Sequence, residues 1–188
     1  PPPFSSRRRH TRCAIKSRGL GDVYKRQMVV IGGVRGTLTG SERDHVKQYE
    51  MAVDAVGRYA EYGRANGVAL VIEPINRYET NYINSIGDAM RFIDEVGGDD
   101  LGILADTFHM NIEEANLAES LRSAGSRICH VQFTDSNRLA AGRGHINFHE
   151  LAAVLRESNY HGYLSTETLP LPDSRTAAQQ AIDYFRTL

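Results

Sequence analysis

Little in this chain would carry it across a membrane or onto a polyanion. No apolar run approaches the roughly 20 residues that a bilayer-spanning helix needs, and the N-terminus lacks the apolar stretch of a secretory signal. The two cysteines, Cys13 and Cys129, lie far apart in unlike settings. Neither has the CxxC spacing of a zinc or redox pair, and a reducing cytoplasm is the expected location. Charge of one sign is missing too: Lys and Arg number 22 against 23 Asp and Glu, a net charge of -1 with a pI near 6.8. The overall balance therefore gives no reason to expect nucleic acid or a membrane as partner. Glycine-rich turns occur at residues 32–36 and 142–144, but neither matches GxGxxG or the phosphate-binding loop, so a nucleotide site lacks its usual cradle. What remains, 41% hydrophobic and 24% charged over 188 residues, is the composition of one globular core.

Residues 1–27 stand apart. They are rich in Arg and Lys, hold Asp22 as their single acidic residue, and show neither strand nor helical periodicity. A basic arm for RNA or a targeting peptide would have this composition. A translated sequencing-adapter read-through would have it as well, and that is the reading we adopt: a disordered, non-native tract, with the domain occupying residues 28–188.

From residue 29 onward short apolar runs recur at 29–32, 69–73, 102–106, 128–133 and 163–167, each read as a buried strand. Stretches of helical period follow them at 41–66, 85–96, 116–124, 148–157 and 175–187. In the first, Val46, Tyr49, Ala52, Val53, Val56, Tyr59 and Ala60 can line one face. Ser41 with Asp44, and Ser85 with Asp88, are spaced to cap helix starts, and Asn66-Gly67 closes the first helix. Strand followed by helix, five times over, predicts right-handed crossovers and a parallel sheet. An open doubly wound sheet and part of a (β/α)₈ barrel both satisfy that pattern.

The strand ends favour the barrel. Glu73, Asp106 and Glu167 each finish an apolar run, and His130 and Gln132 lie on the remaining one. In a barrel, active-site residues gather at the C-terminal ends of several strands. Three carboxylates arriving there suit a hard divalent cation such as Mg²⁺ or Mn²⁺, which takes oxygen ligands with an imidazole or amide filling a position. A single such carboxylate would more simply be a helix cap.

The residues around these ends form a series: Glu73-Pro74-Ile75-Asn76-Arg77-Tyr78-Glu79, Asp106-Thr107-Phe108-His109-Met110-Asn111, residues 130–138 (HVQFTDSNR), Gly142-Arg143-Gly144-His145 and Ser165-Thr166-Glu167. In order and spacing it resembles the xylose-isomerase-like TIM-barrel sugar isomerases and epimerases. The nearest resemblance is to ketose 3-epimerases such as D-tagatose 3-epimerase, L-ribulose 3-epimerase and the 5-keto-L-gluconate epimerase kind. The resemblance implies that Glu73, Asp106 and Glu167 hold a divalent metal ion (Mn²⁺, Mg²⁺ or Co²⁺), with Glu73 and Glu167 doubling as the acid and base pair. It implies that His109, Arg138 and Glu79 hold oxygens of a small sugar substrate. The reaction implied is metal-assisted proton transfer beside the carbonyl of a ketose or keto-sugar acid through an enediolate, as 3-epimerisation or aldose–ketose isomerisation.

One position departs from the family pattern. Where it reads HxH, this chain has His130-Val131-Gln132, so the remaining metal position falls to Gln132, whose side chain points the way His130 does. An amide oxygen is a weaker donor than imidazole to a transition metal, so a shifted metal preference is expected. Phe108, Tyr78 and Phe133 read as core or pocket wall, and His145 and His149 as structural or solvent-facing.

As fold class the resemblance implies α/β: the C-terminal part, about five βα units, of a (β/α)₈ TIM barrel truncated at its N-terminus. The strand at 29–32 would then have a bare edge, and the chain as given is expected to be poorly soluble or inactive even though its parent enzyme is neither. Homo-oligomerisation of the full-length protein stays open. Two rivals remain: a barrel that binds sugar but has lost catalysis, with Gln132 as the first sign, and an abasic-site endonuclease. The second needs a multi-metal cluster and a basic surface, whereas residues 28–188 are acidic.

Overall fold

A computed structural model describes residues 28–33, 36–97 and 101–188. The tract 1–27, expected to be disordered and non-native, lies outside the described residues. Strand β1 (Met28–Ile31) leads to helix α1 (Glu42–Ala65), β2 (Ala69–Ile72) to α2 (Ile86–Val96), and β3 (Leu101–Asp106) to α3 (Thr107–Glu113) and α4 (Leu117–Ala124). A 3₁₀ turn (Gly125–Arg127) precedes β4 (Ile128–Gln132), followed by α5 (Phe148–Glu157), β5 (Tyr163–Ser165) and α6 (Ser174–Phe185).

The strands form one sheet in the order β1-β2-β3-β4-β5, every neighbouring pair parallel. Spatial order equals chain order, so the chain winds in one direction only. A doubly wound sheet reverses direction at a switch point; a (β/α)₈ barrel does not. The described residues therefore build a half-barrel of five parallel strands. Strands covered on both faces are apolar throughout rather than alternating, and all six residues of β3 are buried.

The helices start where their caps allow. Ser41 and Asp44 at α1, and Ser85 and Asp88 at α2, make complete capping boxes, each hydroxyl accepting from an N3 amide while the N3 carboxylate takes the cap amide. Asn116, Asn147 and Asp173 cap α4, α5 and α6. The end of α1 turns tightly into β2 through Gly63, where a Cβ would lie 2.6 Å from both the Val68 carbonyl oxygen and Leu70 Cδ1. Tyr49 of α1 meets Tyr82 and Phe92 edge-on at 6.4 and 5.6 Å. Phe133 and Phe148 pack at 4.9 Å on the other side of the core.

One expectation fails in detail, and one short helix was not anticipated. Val46 and Tyr59 were placed on the inner face of α1, yet they are 60% and 61% exposed. At about 100° per residue they fall at the margins of the stripe that Val56, Ala60 and Gly63 bury. The short helix α3 carries no periodic signal because it spans only 7 residues, begun by the Asp106 side chain accepting from Phe108 N.

Candidate active site

All five strands point the same way, so their C-terminal ends share one rim. Asp106 and Gln132 end β3 and β4 and are register partners, Glu73 follows β2, and Glu167 lies just beyond β5. An oxygen of Glu73, an oxygen of Asp106 and a ring nitrogen of His109 lie within 4.8 Å of one another, and all three residues are buried. Gly32, just after β1, makes room for this cluster: a Cβ there would sit 2.5 Å from Glu73 Oε2.

Asp106 Oδ1 accepts from Phe108 N at 2.9 Å, but Asp106 Oδ2 and Gln132 Oε1 are both buried without a hydrogen bond. Buried polar atoms almost always find partners. Burial pushes the Asp106 carboxyl well above the usual carboxylate range; the Arg138 charge opposes this, and the nearby Glu73 and Glu167 charges reinforce it. Two unsatisfied oxygens on adjacent strands, with the Glu73 carboxylate beside them, fit the oxygen-rich shell of a hard divalent cation.

A cationic side chain closes the other side. Arg138 Nη1 approaches Asp106 Oδ2 at 3.6 Å and His109 Nε2 at 3.3 Å, Nη2 approaches Glu167 Oε2 at 3.9 Å, and the guanidinium lies 4.4 Å over the Phe108 ring. It arrives on the β4–α5 loop, held by fully buried Asp135. Oδ1 of Asp135 accepts from Ser136 N at 2.8 Å and Ile146 N at 3.2 Å, and its carbonyl accepts from Arg138 N at 2.8 Å. Arg138 takes a φ of 63°, uncommon for a side chain of its size. Its carbonyl in turn accepts from Leu169 N at 2.8 Å, tying the loop to the segment after Glu167. Glu167 is further fixed by its backbone N, which donates to Thr134 Oγ1 at 3.0 Å. Thr107 Oγ1 donates to the Thr134 carbonyl at 2.7 Å, binding the rim from β3 across β4 to β5.

A family model described as a xylose isomerase-like TIM barrel matches residues 8–188. The chain belongs to this family. The matched span begins inside the basic N-terminal tract. D-psicose 3-epimerase of Agrobacterium fabrum is 31% identical over 158 residues, 82% of this chain and 55% of that protein. Among solved structures, 3-keto-D-glucoside 4-epimerase of Escherichia coli matches with a TM-score of 0.79 at 31% identity, over 86% of this chain and 64% of that one. D-allulose 3-epimerase of Methylomonas sp., solved in complex with D-allulose, matches with a TM-score of 0.72 at 28% identity, over 79% and 57%. The chain spans a little over half the length of the curated relative named here.

The rim thus gathers Glu73, Asp106, His109, Gln132, Arg138 and Glu167. Glu79 is exposed, but its Oε1 accepts from Asn76 Nδ2 at 3.0 Å. His130 Nε2 pairs with Ser165 Oγ of the neighbouring strand at 2.7 Å. Phe133 is core and Phe108 lies beneath Arg138, but Tyr78 is 82% exposed and is neither core nor pocket wall, because its turn faces solvent. His145 and His149 are exposed, beside Ser136 and the Tyr184 ring. An open cavity of about 310 Å³, lined by Asn111, Asn116, His145 and Asn147 among others, touches none of the rim carboxylates. Sequence reasoning gave no role to Asn76 or Asp135. Both stand inside the quoted motifs, and the available signal was a polar residue flanked by chemistry-bearing ones.

Proposed function

We propose that the protein to which this chain belongs is a sugar epimerase that inverts the carbon beside a ketone by moving a proton. The observation that supports this best is the pair of buried oxygens, Asp106 Oδ2 and Gln132 Oε1, that lack a hydrogen bond beside Glu73, with Arg138 and Glu167 close by. Glu73, Asp106, Gln132 and Glu167 would hold a divalent cation, which when bound supplies positive charge to the substrate's oxygens. Glu73 takes the proton from the carbon on one face of the sugar, and Glu167 returns one on the other; His109, Arg138 and Glu79 hold substrate oxygens while the enediolate exists. Transfer by one carboxylate to the neighbouring carbon would isomerise instead.

The relatives' names are consistent with this chemistry. A ketose 3-epimerase and a 3-keto-glucoside 4-epimerase both invert a carbon next to a carbonyl. The substrate proposed for this protein is accordingly a ketose or a keto-sugar.

The test is incubation of the full-length protein with D-psicose, D-tagatose, L-ribulose and a 3-keto-glucoside in deuterated water, with Mn²⁺, Mg²⁺ or Co²⁺. Deuterium at the inverted carbon is the expected result. Calorimetric titration showing no binding of any of these ions, with the Glu167→Gln variant identical, would rule the reading out in favour of a sugar-binding barrel.

A further inference from the structure

We propose that Thr134 is a positioning residue for the second half of the inversion: its hydroxyl holds Glu167 where that carboxylate returns a proton, without touching the sugar itself. This rests on the reading above, in which Glu167 is the returning acid.

Strand β3 turns into α3 at Thr107, so its backbone leaves the sheet just after Asp106. The fully buried Thr107 hydroxyl takes over, accepting from Thr134 N at 2.9 Å and donating to the Thr134 carbonyl at 2.7 Å. On the other side of β4, Phe133 N donates to Ser165 O at 2.8 Å. Past that point Thr134 and Glu167 meet through the Thr134 hydroxyl, which is also fully buried. Its Oγ1 accepts from Glu167 N at 3.0 Å, and its own hydrogen has the Glu167 carbonyl at 3.3 Å or Thr166 Oγ1 at 3.4 Å to receive it. Thr134 is thus fastened to β3 by its backbone and to Glu167 by its side chain.

Glu167 depends on that side chain. Main-chain bonds anchor the residues on either side of it, Ser165 to Phe133 and Leu169 to Arg138, and the Thr134 hydroxyl holds the middle. The carboxylate itself stands 3.9 Å from Arg138 Nη2, beyond hydrogen-bond reach, so its place at the rim follows its backbone. Glu73, which takes the first proton, follows β2, two strands away from β4, and none of these bonds involves it.

Loss of the hydroxyl therefore acts on one carboxylate of the pair. Thr134→Val keeps the branched shape and the main-chain bonds of residue 134 and removes the hydroxyl alone. Proton removal by Glu73 is then preserved while the return from Glu167 slows. An enediolate that waits takes its proton back on the face it left.

Incubation of the full-length protein and Mg²⁺ with the four sugars named above in deuterated water reads this as a ratio, deuterium in recovered substrate against substrate inverted. Thr134→Val is expected to raise that ratio about 10- to 100-fold, the cost of a reacting group displaced by about 1 Å. Thr134→Ser, which keeps a hydroxyl, is expected to return it to the wild-type value. A general loosening of the fold lowers exchange and inversion together and leaves the ratio alone. Amide hydrogen exchange reads the same contact without turnover: Glu167 N–H should be protected in the wild type and released in Thr134→Val. An unprotected Glu167 amide in the wild type overturns the proposal without any variant, as does a folded Thr134→Val protein with the wild-type ratio. A wild type with a protected amide that neither labels nor inverts any of the four sugars sinks the proposed function, and the role of Thr134 in it, by a different result.

Discussion

Asp106 is buried and its Oδ2 accepts no hydrogen bond; burial above all pushes its proton affinity up, against the Arg138 charge and with the Glu73 and Glu167 charges. Such a group costs the apo protein stability and serves a ligand. Asp106→Asn keeps the oxygen that begins α3 and removes the buried charge. Thermal denaturation of the metal-free variant at neutral pH should show a melting point higher by ~2–4 °C, the shift that about 1 kcal/mol gives a domain of this size, while calorimetry shows divalent-cation binding lost. A lower melting point would contradict the account. Glu73→Gln and Glu167→Gln should each cut turnover by about 10²- to 10⁴-fold, and Glu167→Gln should exchange deuterium without inversion, because Glu73 still takes the proton. The carboxylates were legible in the sequence because each ends an apolar run, and position on a strand is a local property. Asn76, Asp135 and the left-handed backbone of Arg138, whose side chain was named, were not, because they depend on partners such as His109, Ile146 and Leu169, between 11 and 33 residues away in the chain.

At the scale of elements, capping carries the pH response that the structure makes definite. The Asp44 carboxyl of the α1 capping box accepts from the Ser41 hydroxyl and backbone, which hold it below its ordinary value of 3.8. A lowered folded-state value means that this contribution is present above pH 3.8 and is lost as pH falls below it through the folded value. The stability difference between wild type and Asp44→Asn should therefore shrink on acidification from pH 5 to below 3.8, measured by chemical denaturation; a difference constant with pH would refute the assignment. At α2, Ser85→Ala should cost about 1 kcal/mol and leave turnover per folded molecule unchanged. Both caps were readable from a Ser-x-x-Asp spacing, as were the five strands and the longer helices to within a few residues. The interior face of α1 was over-read because hydropathy marks which residues can be buried, whereas the tilt of the helix on the sheet decides which are; Val46 and Tyr59 are the result.

For the whole molecule, β1 and β5 each pair on one side only among the described residues. Met51, Tyr59 and Tyr62 of α1 are exposed at 62%, 61% and 73%. Their spacing puts them on the flank of α1 turned away from Gly57, which meets Val96 of α2. An unpaired strand beside an apolar helix flank favours self-association. Sedimentation of the 188-residue chain should show mass rising with concentration, and Tyr59→Lys with Tyr62→Lys should lower it; a monomer at all concentrations would disprove this. The order of the strands has a further consequence, in time rather than in space. Among the described residues each strand from β2 to β5 pairs with the one translated just before it, so on a ribosome none of these four must wait for the chain's end to find that neighbour. The sheet can grow at its newest edge, one unit per few seconds of synthesis. A nascent chain tethered to an arrest peptide should accordingly pull in steps, one as each strand and its following helix clear the exit tunnel, rather than in a single late event.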